Sequence, residues 1–550
     1  MTYDANDPFF AAPFKMLIQL LVGLLLVLAV IAFIAVRLKV PASILLVLAG
    51  MGLALTPGLP NVELEPDVVL LLVLPPVIYS SAVAMSWREF RFNLRPIALL
   101  AVGCVVFTAS AVAAAAHYLL GLSWELGFVL GAIVSPPDAV APLSIARRLH
   151  LPRRIVVVLE GEGLANDATA LILYRFAVAA VGGGAFSLVH ATGAFVAIVF
   201  GEVVWGIAVG WALLHVRRWV GEPRVEIMLS LLTPYLAYWP PELLGGSGVL
   251  ATVTTGLFIS WNGLRLIGAR TRLQGVFFWD FFIYLVEGMV FLLTGLQAHT
   301  LMRGLKSYSV SQLAISAAIV SVVVVLTRFV WIYPATYLPR WLVPSLARKD
   351  PSPPWQWPFV LGFTGVRGIV SLAAALAIPL VTADGTPFPH RDLILVLAFV
   401  VVLVTLVGQG LTLPWVVRAL GMENAGERER VSLHEEESRM RQDAIEAASN
   451  RLDAVAGESA VPADVLARIR AQHRHRLTQV MARWAQDPQQ RARIMRSDEL
   501  DLQLIGVERD LINETYRRGA LKDETRRRLE RELDLRAAQL ASVRNEDDLE

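Results

Sequence analysis

Two carboxylates stand where carboxylates are expensive. Asp138 follows Ser135-Pro136-Pro137, and Asp167 follows Asn166, each inside a predominantly apolar stretch. At the centre of a bilayer such a side chain costs about 2.5–3.5 kcal/mol on insertion scales. Asp138 lies nine residues before Arg147 and Asp167 thirteen after Arg154. On adjacent antiparallel helices those offsets set the two acids ~13 Å and ~20 Å inward from one face. Desolvation disfavours the charged form of a carboxyl group. An acid held there therefore keeps either a proton or a metal cation, and two acids at one depth make a site where the two compete. Oxygen ligands of this kind suit hard cations.

The backbone beside these acids is irregular. Pro136-Pro137 removes two amide donors and breaks a helix, and the freed carbonyls are available to line a cation path. A second break is expected at Thr364-Gly365-Val366-Arg367-Gly368, where two glycines permit unwinding. Helix ends that meet at such breaks carry opposed partial charges. Asp138 can offset the positive N-terminal ends and Arg367 the negative C-terminal ends. Alternatively, Arg367 pairs with Glu162.

Positioning these groups takes a membrane domain. Of 550 residues, 55% are hydrophobic and 17% charged, with mean hydropathy +0.56, far from a soluble domain's roughly 25% charged. A soluble enzyme, a nucleic-acid binder and a disordered scaffold are disfavoured, and a net charge of +2 calls for no polyanion partner. Cys104 is the single cysteine, which excludes an intrachain disulfide and any multi-cysteine metal centre. The charge is unevenly spread: residues 421–550 hold 23 Lys+Arg and 27 Asp+Glu, against 26 and 20 in the first 420. The boundary is placed at Gly421, dividing a membrane domain, 1–420, from a soluble helical tail, 421–550.

The first 420 residues divide into thirteen apolar stretches, most near the ~20 residues a helix needs to cross a bilayer. They lie near 16–36, 41–57, 66–85, 96–119, 124–148, 153–180, 188–216, 225–240, 246–263, 276–299, 311–338, 357–380 and 392–419. With the N-terminus outside, the inner loops carry 18 Lys and Arg, and the outer segments four: Lys15, Arg303, Lys306 and Arg391. That asymmetry places the tail in the cytosol. The breaks fall in the fifth stretch and the twelfth, the same place in two blocks of six, as in inverted-repeat transporters with a midplane site. MTYDANDPFFAAPFK lacks a basic signal-peptide head, so the first stretch is read as retained. Structural pairing or an interfacial position accounts equally well for Arg175, Glu202, Asp280 and Arg328, and Glu160 is assigned to the interface.

The stretch GAIVSPPDAVAPLSIARRLHLPRRIVVVLEGEGLANDATALILYRFAVAA, 131–180, with LPPVIY at 74–79 and GFTGVRGIVSLAAALAIP at 362–379, resembles bacterial sodium/proton antiporters of the monovalent cation:proton antiporter-1 family. The resemblance covers about 16–420. It implies an all-α polytopic membrane protein of about thirteen helices in two inverted repeats with broken crossing helices, working as a homodimer by elevator-like alternating access. It also implies Asp167 as the ion- and proton-carrying carboxylate, Asn166 as its partner, Asp138 as a charge at the helix crossing and cation site, and Glu162 as the mate of Arg367. Asn at 166, where an electrogenic branch has Asp, points to electroneutral exchange. The chain departs from the pattern at Pro137, Ala139, Gly163 and Ser80, so two hydroxyl ligands are missing; Ser135, Ser80 or water would fill the shell. The expected activity is exchange of Na+, or of K+ or Li+, for H+ across the plasma membrane in pH and sodium homeostasis, with no cofactor and no enzymatic step.

Alternatives are a cation channel or a membrane sensor with a cytosolic signalling tail. Thirteen spans with paired breaks argue against a channel. No G-x-S-x-G or H-E-x-x-H marks a hydrolase in the spans, and G-x-x-x-x-G-K-[ST] is absent, against an ATP-driven pump. In the tail, 508–540 reads as helix interrupted at Gly519. Two histidines in RAQHRHR, 470–476, offer titration near neutrality.

Overall fold

A computed structural model describes residues 8–57, 64–183, 188–303, 308–382, 384–458, 462–483 and 488–547. Lys306 lies outside the described residues, and the side chains of Lys15, Arg265, Arg303 and His475 are likewise not described. Among the described residues the fold is all α, with one isolated bridge between Val381 and Pro387. Two compact units divide between Glu427 and Arg428.

In the first unit each of the thirteen apolar stretches centres on a helix or a pair of half-helices. Among the described residues seven helices are long and apolar enough to cross a bilayer, including Leu94–Leu120, Arg153–Val181, Ala269–Leu301, Val310–Leu342 and Arg391–Ala419; Ala42–Ala54, Val68–Ala84 and Trp124–Val134 are shorter apolar helices. The helices pack as two groups. One contains Leu94–Leu120, Trp124–Val134, Arg153–Val181, Val310–Leu342, Ile369–Leu376 and Arg391–Leu403. The other contains Ala42–Ala54, Leu74–Ala84, Leu188–Val220, Pro223–Leu243, Val249–Leu266 and Ala269–Arg303. Small residues let backbones touch within each group. A Cβ on Gly131 would stand 2.3 Å from the Ala109 carbonyl oxygen, and one on Gly50 2.2 Å from that of Leu292.

One end of the unit is laced by basic residues from different loops. Arg148 donates to the Lys39 carbonyl. Arg153 binds Glu89 at 2.7 Å and Arg147 binds Glu160 at 2.8 Å. Arg95 and Arg154 reach Asp350. This basic end is one face of the helix bundle.

The second unit contains most of Met422–Glu458, with Ala463–Arg483, Pro488–Arg517 and Asp523–Asp547. The expected interruption is present. Gly519 takes φ +71°, a left-handed turn that suits glycine. The last two helices are joined by Arg509–Asp534 at 2.6 Å and Arg536–Glu508 at 3.2 Å, and Arg526 stacks 4.5 Å over the Tyr516 ring.

Candidate ion-binding site

Both expected breaks exist, and they cross. Trp124–Val134 ends at Ser135 and the chain resumes as Val140–Arg148; Gln356–Phe363 ends at Thr364 and resumes as Ile369–Leu376. The Asp138 amide donates to the Val366 carbonyl at 2.6 Å, joining one break to the other. A Cβ on Gly368 would lie 1.5 Å from Asp138 Oδ2. Only glycine lets the carboxylate come so near the second break.

Charge at the crossing is distributed by helix polarity. Asp138 Oδ1 accepts the Val140 amide at 2.9 Å, and its carboxylate is also bonded by the backbone of Ile369. These residues begin the two outgoing half-helices, so one carboxylate neutralises two positive N-terminal ends. Arg367 does the converse. Its Nε donates to the Val134 carbonyl at 2.9 Å, and its other nitrogens to those of Gly365 and Ser135. These carbonyls close the two incoming half-helices. A π-helical turn at Val404–Gln409 presents Thr405, whose hydroxyl accepts the Arg367 amide at 3.0 Å.

The expected Glu162–Arg367 pair is not formed. Glu162 is held by Arg328, with Nη1–Oε1 and Nη2–Oε2 distances of 2.5 and 2.9 Å, and both side chains are buried. The reason is geometric. Arg367's donors are consumed by the helix ends, whereas Arg328 enters from Val310–Leu342 and presents its planar fork to the carboxylate. Its Nε meanwhile donates to the Leu361 carbonyl at 3.0 Å. Arg328 was legible only as one misplaced charge among several, because its partner lies 166 residues away.

Asp138 and Asp167 line one cavity of about 280 Å³. Asp167 projects from Arg153–Val181, and the neighbouring Asn166 donates to the Pro137 carbonyl at 2.6 Å, catching one backbone oxygen left open in the break. Asn166 Oδ1 is buried without a hydrogen-bond partner. Gly163 and Ala139 also line the cavity, and a Cβ on Gly163 would meet that of Ala139 at 2.8 Å. Two of the four departures from the expected pattern therefore face each other. Of the serines considered, Ser135 donates its hydroxyl to the Ala132 carbonyl at 3.1 Å. Neither Ser135 nor Ser80 lines the cavity; Ser81 and Ser371 do. Two further acids line the wall: Glu160, which is paired with Arg147, and Glu287, from Ala269–Arg303. Nothing in the sequence linked Glu287 to Asp138, since it comes from the other helix group.

Two of the remaining embedded charges hold neighbouring segments in place. Glu202 accepts the amides of Ser247, Gly248 and Leu250 at 2.7, 3.1 and 3.0 Å, holding the start of Val249–Leu266. Arg175 pairs with Glu242 and donates to the Gly246 carbonyl. Asp280 is exposed.

Comparison with known proteins agrees with this geometry. A family model described as sodium/hydrogen exchanger, transmembrane, matches residues 23–419. An uncharacterised Na+/H+ exchanger of Mycobacterium tuberculosis is 34% identical over 533 residues, 95% of this chain and 97% of the relative. The Na+/H+ antiporter ApNhaP of Aphanothece halophytica is 34% identical over 386 residues, 70% of each chain. Among solved structures, the sodium/proton antiporter MjNhaP1 of Methanocaldococcus jannaschii superposes with TM-score 0.61 at 18% identity, covering 74% of this chain and 99% of that one. The crossed half-helices, the acids beside them and these matches agree: the chain is a multi-pass membrane protein and belongs to the sodium/hydrogen exchanger family of cation/proton antiporters.

Proposed function

We propose that the protein exchanges Na+ for H+ one for one, with Asp167 carrying cation and proton alternately. The observation that carries this reading is the shared cavity of Asp138 and Asp167. Asp138 is committed to two helix N-termini, so it lends negative field while remaining in place. Asp167 has no such commitment and is the group free to change partners. With Asn at 166, that pair supplies one titrating carboxylate, which supports electroneutral exchange. Asn166 Oδ1 is a buried oxygen within reach of the same break. Na+ is the cation favoured by the oxygen donors and by the relative named a Na+/H+ antiporter. The test is proton flux in proteoliposomes with clamped membrane potential and an acid interior. Added Na+ should drive proton efflux at a rate independent of the clamp. A rate that follows the clamp would overturn electroneutrality, and efflux driven by K+ alone would overturn the cation.

The cavity also suggests which way the site faces. On Arg153–Val181 its wall comprises Arg153, Glu160, Gly163, Leu164 and Asp167, and it also includes Arg147. It therefore runs from Asp167 to the basic end, which the positive-inside rule makes cytoplasmic, with the N-terminus outside and the tail in the cytosol. Toward the other face, Arg175 lies eight residues beyond Asp167, ~12 Å along the helix. It binds Glu242 and Gly246 of the other helix group, in a loop that Glu202 holds by its amides. This pair acts as a latch on the outer side. Arg175→Gln should raise labelling of a cysteine placed near Asp167 from outside, in a background lacking Cys104, severalfold. Unchanged labelling in folded protein would remove the latch from the mechanism.

A further inference from the structure

At the basic end, three guanidinium groups from three helices converge on one carboxylate. Asp350 receives Arg95 at 2.6 Å, Arg154 at 2.7 Å and Arg340 at 2.8 Å. Burial raises the Asp350 carboxyl, but the hydrogen bond and charge of Arg154, with the charges of Arg340 and Arg95, outweigh it and hold it below the usual range. It is anionic at neutral pH, which leaves the cluster two positive charges in excess. Glu89, the nearest other acid in sequence, is taken by Arg153. Asn93, which accepts from Arg154 at 3.2 Å, is neutral. Arg95 Nη1 is buried and makes no hydrogen bond.

The same arginines form one side of a slot of about 50 Å³ whose other walls are apolar, among them Leu99, Ile332, Leu361 and Trp357. Neighbouring residues in sequence are apolar and outward-facing: Phe92, Leu94, Trp341, Leu342 and Trp355 are all exposed. Exposed aromatics beside arginines mark the headgroup level of a bilayer. Basic pockets between membrane helices on the cytoplasmic side suit anionic headgroups. We infer that this slot seats the phosphate of an anionic phospholipid, with Arg95 as its free donor and the apolar walls against the glycerol and first methylenes. A soluble anion would gain nothing from those walls, and a zwitterionic lipid would leave the excess charge unmatched. The bound lipid would fasten Leu94–Leu120, Arg153–Val181 and Val310–Leu342 to Gln356–Phe363, the half-helix that leads into the second break.

The experiment uses delipidated full-length protein in neutral detergent, with thermal unfolding and native mass spectrometry as readouts. Phosphatidylglycerol, phosphatidylcholine and inorganic phosphate are added separately. Phosphatidylglycerol should raise Tm by about 5 °C near saturation and leave one or more tightly held copies in the mass spectrum. The other two should do neither. Arg95→Gln should weaken the lipid effect about fivefold or more. Because that change also breaks an ion pair, Ala335→Phe is run beside it. Ala335 lines the slot, and a phenyl ring fills it with every arginine left in place, so the lipid shift should vanish. Equal shifts from phosphatidylcholine, an equal shift from inorganic phosphate, or a full phosphatidylglycerol shift in Ala335→Phe would each overturn the assignment.

Discussion

Asp167→Asn should abolish cation-dependent proton efflux, by about 10²-fold or more, while folded yield stays near that of wild type. The substitution keeps shape and hydrogen-bonding capacity but removes the charge and the proton. Among the described residues Asp167 bears no helix end and forms no ion pair, so the fold loses little. Asp138→Asn should behave differently. Its carboxylate binds Val140 and Ile369, so neutralising it uncovers two positive helix ends. Both yield and flux should fall. Proteoliposome flux, paired with gel filtration of the same preparations, separates the two effects. Residual flux above about a tenth of wild type in Asp167→Asn would move the carrier role to Asp138 or Glu287, the acids on the cavity wall other than Glu160, which is paired with Arg147.

Arg328→Met should be among the most destabilising single changes in the membrane unit. It leaves Glu162 buried without its bidentate partner, and stranding one member of a buried pair costs about 3–5 kcal/mol. Removing both charges, Glu162→Gln with Arg328→Met, should recover much of that loss, because well-packed neutral residues often match a buried ion pair. Thermal melting in detergent gives the cycle. Arg367→Met also costs stability, by freeing the carbonyls of Val134, Ser135 and Gly365. Its coupling to Glu162 should nevertheless be the smaller of the two. Larger coupling between Glu162 and Arg367 than between Glu162 and Arg328 would contradict the pairing seen here.

Much of the architecture was legible along the chain. Apolar length reports helices because each must bury its backbone polar groups internally in lipid. The breaks were legible because Pro136-Pro137 cannot continue a helix, and because Gly365 and Gly368 flank the second interruption. Counting residues from Asp138 and Asp167 to the nearest arginines set the two acids near one another, and both line one cavity. Gly519 was readable as a helix stop for the same local reason.

Partnership was decided only in three dimensions. Glu162 could bind either of two buried arginines, and nothing in spacing separates a partner 166 residues away from one 205 away. Side-chain reach and the prior commitment of Arg367 to helix ends made the choice. The same holds for Ser81 on the cavity wall in place of Ser80. One residue is a rotation of about 100° on a helix, and the packing of that helix selects which side faces the cavity. Glu287 joins the cavity because two helix groups meet there, and Asp350 collects three arginines because their helix ends share one face. Local sequence determines where helices begin, bend and carry charge. Which of those charges meet depends on how the helices pack, a property of contacts between segments far apart in the chain.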